Sequence, residues 1–238
     1  MRVMNVIALV LLLLPVLVPA TDLFTLLSAN FNDKTIDDPI GFGGPDVGEP
    51  LSKSASLSAI VRNTPFATPG LEIVRISDGP AGYVLFEFVG SASVDVGNVV
   101  VGVDVVFESL DTYYIMIREQ GGWGSKFCEL YTDPNGNIHL SDAVGPSVYA
   151  GTYVAGQPYH FEFLFNTVTD TYDVLQNSVP LIEDRSHGID GVGIGRIAFK
   201  FAYSVLVGAE MSIDNLLIQA DEFTAASPSN FSELKPRY

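Results

Sequence analysis

The chain of 238 residues is 47% hydrophobic and 17% charged, with 12 Lys and Arg against 28 Asp and Glu and a formal charge of −16. That apolar fraction excludes wholesale disorder, and a single cysteine excludes a disulfide framework or a Cys-rich zinc module. The acidic balance argues against nucleic acid phosphates or anionic lipid as partners, since both need cationic surface, and makes a polyanionic polysaccharide a poor ligand.

Positions 1–20 read as a signal peptide. Arg2 precedes a continuous apolar run over Val6 to Val18, and Val18-Pro19-Ala20 places small or aliphatic residues at the cleavage positions. The run is shorter than the ~20 apolar residues of a spanning helix and is interrupted by Pro15, and no cysteine stands nearby for a lipid anchor. A secreted or periplasmic protein is expected, cut near Ala20, with no stable membrane insertion afterwards. Residues 21–220 then form one domain. Within it, residues 33–53, rich in Gly, Pro and Asp, read as a long irregular loop. Residues 221–238 read as a polar C-terminal tail, and Asn230-Phe231-Ser232 within it matches an N-glycosylation acceptor.

Between these segments apolar residues alternate with polar ones at a period of two, broken by Gly, Pro, Asn and Asp. In chain order, strands are expected over 57–62, 71–76, 84–88, 99–107, 112–118, 127–132, 137–141, 159–165, 171–176, 196–203 and 211–219. The clearest is 159–165, where Tyr159, Phe161, Phe163 and Phe165 face one way and His160 and Glu162 the other. Asp133-Pro134-Asn135-Gly136-Asn137 is a hairpin turn with the Asn-Gly pair that tolerates positive φ. About a dozen half-buried strands need two sheets packed face to face, ~10 Å apart. The fold expected is an all-β, two-sheet antiparallel β-sandwich of jelly-roll type.

Gly151-Thr152-Tyr153, Tyr159 to Phe163, the run Phe165 to Val174 with its Tyr172-Asp173-Val174, and the closing Met211 to Ile218 with its Asp214-Asn215 pair carry a resemblance. Together with the opening Ala29-Asn30-Phe31-Asn32-Asp33, this pattern resembles the concanavalin A-like lectin/glucanase superfamily, in particular the LamG-like jelly rolls of secreted bacterial proteins. The likeness covers most of residues 30–220. It bears on fold more than on function, because such folds host lectins, hydrolases, lyases and scaffolding domains.

The resemblance implies tests for chemistry. The glucan-cleaving members carry Glu-x-Asp-x-x-Glu on one strand, which alternation aims into a cleft; Glu210 to Asp214 is the nearest run here and lacks a carboxylate. The lyase motifs find only an echo in Asn137-Ile138-His139. Gly-x-Ser-x-Gly and His-Glu-x-x-His do not occur, and Gly191-Val192-Gly193-Ile194-Gly195 lacks the interval of a dinucleotide loop. If the chain cleaves polysaccharide, the outward residues His160, Glu162, Asp104, Glu108, Arg196 and Lys200 are the candidates; otherwise they form solvated cross-strand ion pairs. His139, His160 and His187 lie in separate segments, so zinc would need tertiary convergence. Cys128 shares a strand face with Leu130 and reads as a buried thiol. Asp133, Asn135 and Asn137 have calcium-loop spacing, but Ile138 stands where a glycine is needed. The resemblance to calcium-tied jelly rolls implies a structural calcium between Asp33 and Asp214. Trp123, in Gly121-Gly122-Trp123-Gly124, with Tyr113 and Tyr131, is the candidate sugar-stacking platform. A non-catalytic secreted module for a neutral carbohydrate is expected, with a structural or adhesive domain, or a divergent hydrolase or lyase, as the alternatives.

Overall fold

A computed structural model of the chain describes residues 23–63 and 65–224. The expected signal peptide and the Asn230-Phe231-Ser232 acceptor lie outside the described residues. Among those described, no helix is long and apolar enough to cross a membrane.

Among the described residues fifteen strands follow one another: β1 (Phe24–Ala29), β2 (Ser52–Lys53), β3 (Leu57–Arg62), β4 (Gly70–Arg75), β5 (Gly82–Glu87), β6 (Asn98–Phe107), β7 (Tyr113–Glu119), β8 (Lys126–Thr132), β9 (Asn137–Ser141), β10 (Val148–Thr152), β11 (Pro158–Asn166), β12 (Thr171–Gln176), β13 (Val179–Ser186), β14 (Ile194–Phe201) and β15 (Glu210–Ala220). They form two antiparallel sheets. The first has eight strands in the order β13-β12-β11-β6-β15-β4-β3, with β1 also on β15; the second has seven in the order β10-β9-β8-β7-β14-β5-β2. The two-sheet antiparallel sandwich read from the alternation is the fold observed.

The inner faces carry that alternation. Val99, Val101, Val103, Val105 and Phe107 of β6 and Phe161, Phe163 and Phe165 of β11 meet Ile115 and Ile117 of β7 and Ile197, Phe199 and Phe201 of β14 in one buried cluster. Rings pack across it edge-on or offset: Phe107 on Tyr113 at 5.4 Å and Tyr113 on Phe201 at 5.2 Å between centroids. Cys128 is fully buried in this cluster and has no disulfide partner, and burial pushes its thiol pKa up. A thiol reagent is therefore expected to label the native chain only after denaturant is added; rapid labelling of native protein would contradict this burial.

The C-terminal strand β15 is shared. Its first half pairs β4 and its second half pairs β1, while β6 runs along its other side. The change of partner falls at the Asp214-Asn215 pair, where the ladder to β6 breaks register and Asn215 takes φ 49°. A bulge with a left-handed residue bends a strand sharply, and asparagine tolerates that conformation. Asp214 Oδ1 accepts the Asn215 amide at 2.7 Å and its Oδ2 accepts the Thr68 hydroxyl at 2.7 Å, under complete burial. Asp33, by contrast, sits at an exposed turn 3.5 Å from Lys34. The calcium expected between Asp33 and Asp214 is thus corrected: Asp214 secures a strand kink, and no group of three or more His, Cys, Asp or Glu among the described residues could hold a metal ion.

Residues 33–53 follow the sandwich closely. Pro39 bridges to Ile60, Ile40 is buried, a 3-10 turn spans Pro45–Val47, and β2 extends the second sheet beside β5. Beyond β15, Asp221 accepts hydrogen bonds from the backbone amide and side chain of Asn98, both at 2.6 Å.

Candidate functional site

Alternation that buries one face of each sheet leaves the other to water, and the antiparallel registers decide which outward side chains become neighbours. On the second sheet those registers align Tyr83 of β5 with Lys200 of β14, Lys200 with Tyr114 of β7, Tyr114 with Tyr131 of β8, Tyr131 with His139 of β9, and His139 with Tyr149 of β10. One continuous row results. Six neighbouring strands at ~4.8 Å spacing give it a span of about 24 Å.

The row is stacked along most of its length. Lys200 Nζ lies 4.6 Å from the centre of the Tyr114 ring. Tyr114 stacks on Tyr131 at 5.5 Å, Tyr131 on His139 at 4.9 Å, and Tyr149 meets His139 edge-on at 6.2 Å. Tyr149 is 63% exposed, and the other members are half-buried. The phenol of Tyr131 donates to Ser147 Oγ at 2.9 Å, which ties the row to the loop before β10.

Trp123 closes the row at its other end. Its indole packs on Tyr83 at 4.9 Å and is still 41% exposed. Arg118 Nη1 donates to the Trp123 carbonyl at 3.3 Å, and the Gly124 amide donates to Glu119 Oε1 at 2.8 Å, so the loop between β7 and β8 is pinned. Beside the row, Leu85, Met116 and Ala198 form a small buried cluster on this outer face, with Tyr83 and Tyr114 packed against it. Farther along lie the ion pairs Arg196–Glu87 at 2.9 Å and Arg118–Glu129 at 3.1 Å. Burial lowers the Arg118 pKa, and Glu129 opposes that shift. Apolar support below and charged pairs to one side hold the aromatic row in place.

Of the three residues expected as a platform, Trp123 and Tyr131 therefore lie on this row and Tyr113 does not. Tyr113 is fully buried on the opposite face of β7, stacked on Phe107, with its phenol 2.5 Å from Ser109 Oγ. Burial pushes its pKa well above the usual tyrosine value. Its neighbour Tyr114 faces outward instead. The parity was available in the sequence, because Ile115 and Ile117 share the face of Tyr113 and mark it as the core side. Tyr83, His139 and Tyr149 went unrecognised because only the pairing register brings them together.

The six outward charges considered for catalysis divide between the two sheets. Arg196 and Lys200 belong to the second. On the first, His160 Nδ1 is 2.6 Å from Asp104 Oδ1, His160 Nε2 is 3.8 Å from Glu162, and Asn215 Nδ2 donates to Asp104 Oδ2 at 2.7 Å. Glu108 lies near Glu72 and Glu210 on the same face. Burial, then the charges of Glu72 and Glu108, push Glu210 up to about 7. The other two histidines are elsewhere: His139 is in the aromatic row, and His187 is fully buried, where desolvation lowers its pKa.

Asp133 serves its hairpin. It accepts from the Asn135 amide at 2.8 Å and from the Asn137 amide at 3.0 Å and side chain at 2.9 Å, with His139 Nε2 at 3.2 Å. Partial desolvation works against ionisation, and these donors outweigh it and hold the carboxyl below the usual range.

No family model matches the chain, and no curated protein matches it. Solved structures do. A sialidase is similar over 69% of this chain with a TM-score of 0.56 and 15% identity. A mutant of Trypanosoma rangeli sialidase displaying trans-sialidase activity is similar over 87% of it, at 0.54 and 14%. A carbohydrate esterase from the Shiga toxin-encoding bacteriophage phi24B is similar over 84% of it, at 0.53 and 10%. The chain spans 16% and 32% of the two sialidases and the whole of the esterase chain. At such identities the likeness is one of fold: an antiparallel β-sandwich that also occurs within carbohydrate-active proteins.

Proposed function

We propose that the chain is a non-catalytic extracellular module that binds a neutral polysaccharide along the outer face of its second sheet. The observation that carries this reading is the cross-strand row from Trp123 and Tyr83 through Tyr114 and Tyr131 to Tyr149. Sugar rings present C–H faces that pack on exposed aromatic planes, and Trp123 and Tyr149, 41% and 63% exposed at the two ends of the row, offer such planes. A linear row suits an extended chain of sugars better than a single ring. The formal charge of −16 disfavours uronic or sialylated chains and leaves a neutral one. The sialidase and esterase neighbours support a carbohydrate context, and the concanavalin A-like resemblance and the signal-like N-terminus support a secreted one.

Affinity electrophoresis against soluble galactomannan, xyloglucan and mixed-linkage glucan, with polygalacturonate as the anionic control, tests it. Retardation by at least one neutral polymer is expected. It should weaken about tenfold in Trp123→Ala, corresponding to loss of one stacking contact worth about 1.4 kcal/mol. Binding to none of the neutral polymers would favour the structural or adhesive alternative, and release of reducing ends would favour a hydrolase or lyase.

A further inference from the structure

The first sheet carries a concave feature in which the aromatic row plays no part. A cleft of about 520 Å³ opens on the outer face of the first sheet where β6, β11, β12 and β13 lie side by side. That volume falls within the range of small-molecule sites. Two cross-strand rows build it. Val100, Leu164 and Asp173 form one, and Asn98, Asn166 and Thr171 the other. Asp184 completes the wall from β13.

The placement of Asp184 is local and costly. The β12–β13 ladder breaks register between Tyr172 and Val174, and Asp184 takes φ 51° there, donating its amide to Asp173 Oδ1 at 2.7 Å. Left-handed backbone at a non-glycine residue is strained, and bulges re-aim side chains. Here the bulge sets a second carboxylate at the cleft beside Asp173.

The donor and acceptor inventory then selects the ligand. Val100 and Leu164 are half-buried and give an apolar floor. Asn166 Oδ1 accepts the amides of Val168 and Thr169, both at 3.0 Å, which fixes the side chain and leaves its two N–H groups as donors. Thr171 Oγ1 lies 2.8 Å from Thr169 Oγ1. The Asp184 amide occupies Asp173 Oδ1, and among the described residues no hydrogen bond engages Oδ2. Two carboxylate acceptors, an oriented amide and a hydroxyl pair around an apolar patch match vicinal hydroxyl groups on a hydrocarbon ring. None of the lining residues is Lys, Arg or His, so an anionic sugar would meet two like charges with no counter-charge.

The geometry points to a second binding site, one that takes a single neutral hexose-like polyol. With the aromatic row on the opposite sheet, the two sites make the molecule bivalent across its two faces. This site stands or falls without the row.

The test is an NMR titration of the intact chain with methyl glycosides of galactose, glucose and mannose, following the Asn166 side-chain amide and the Asp184 backbone amide. Glucuronate and glucosamine serve as charged controls. Saturable shifts at Asn166 and Asp184 are expected with at least one neutral glycoside and not with glucuronate. Leu164→Trp, which fills the cleft from the solvent side of β11, should abolish the Asn166 shift. Asp184→Gly, which suits the left-handed backbone while removing the carboxylate, should weaken binding about tenfold. Trp123→Ala should leave the shifts unchanged, which separates this site from the row. Absence of saturable shifts with every neutral glycoside, their survival in Leu164→Trp, or tighter binding of glucosamine than of any neutral glycoside would overturn the assignment.

Discussion

Replacing Asp142 with alanine is expected to cost about 3–5 kcal/mol, the range for breaking a buried ion pair on one side. For a domain of this size that lowers the melting temperature by about 10 °C. Asp142 follows β9, one strand in from the edge of the second sheet, and is 4% exposed. It pairs with Nε of Arg185, which comes from β13 at the far edge of the first sheet, so the pair links the two layers. Its Oδ2 also accepts the phenol of Tyr172 at 3.0 Å, and its Oδ1 accepts the amides of Val144 at 2.9 Å and Gly145 at 3.2 Å. Burial works against the ionised form, and the guanidinium with the three other donors outweighs it and holds the pKa low. Alanine would orphan the buried Tyr172 hydroxyl and leave Arg185 with the Pro146 carbonyl at 3.1 Å. Asp142→Asn keeps an acceptor for the amides and should lose about half as much. Thermal or urea melts of the two variants decide the matter, and an alanine variant within about 0.5 kcal/mol of wild type would mean that water already satisfies the pair.

Alternation made most of the sandwich readable. The strands expected at 57–62, 137–141 and 171–176 are β3, β9 and β12 residue for residue, and the others differ at their ends. Tyr203 was assigned to the strand now seen to end at Phe201, and it is 75% exposed beyond it. The strands that escaped have weak patterns for identifiable reasons. The ladder of β1 breaks between Thr25 and Leu27, so Leu26 and Leu27 are both buried and the period is lost. β10 and β13 are sheet edges, and no residue of either is fully buried. An edge strand need not bury a face, so hydrophobic period carries no signal there.

The two sites differ in the same way. The chemistry of single residues, such as the tryptophan in a glycine-rich loop, is visible in the sequence. The aromatic row exists only through five cross-strand registers, and the cleft depends on a bulge that nothing at Asp173 or Asp184 announces. Register and bulges are tertiary properties, fixed by which strands the two-layer packing brings together.

The carboxylates of the first sheet bring a second large effect, and its sign depends on pH. Glu210 titrates at about 7 because burial, then Glu72 and Glu108, disfavour its charge, while Arg62, which pairs with Glu72 at 3.3 Å, offsets part of this. Its unfolded value is about 4.3. The folded state therefore holds this proton more tightly, and the stability it contributes is fully present below about pH 4.3 and is lost progressively until about pH 7. The full displacement would amount to roughly 3.7 kcal/mol, and screening at the half-buried carboxyl reduces it to about 2. Glu210→Gln, which carries no charge, should be more stable than wild type by about that amount at pH 8 and equal to it near pH 4. The comparison must be between variant and wild type, because buried His187, whose pKa is lowered by desolvation, destabilises the fold on acidification and masks the trend in wild type alone. Melting temperatures of both proteins from pH 4 to pH 8 should diverge upward through that interval. Parallel curves would show that Glu210 is ionised at no cost and that the three glutamates do not share a field.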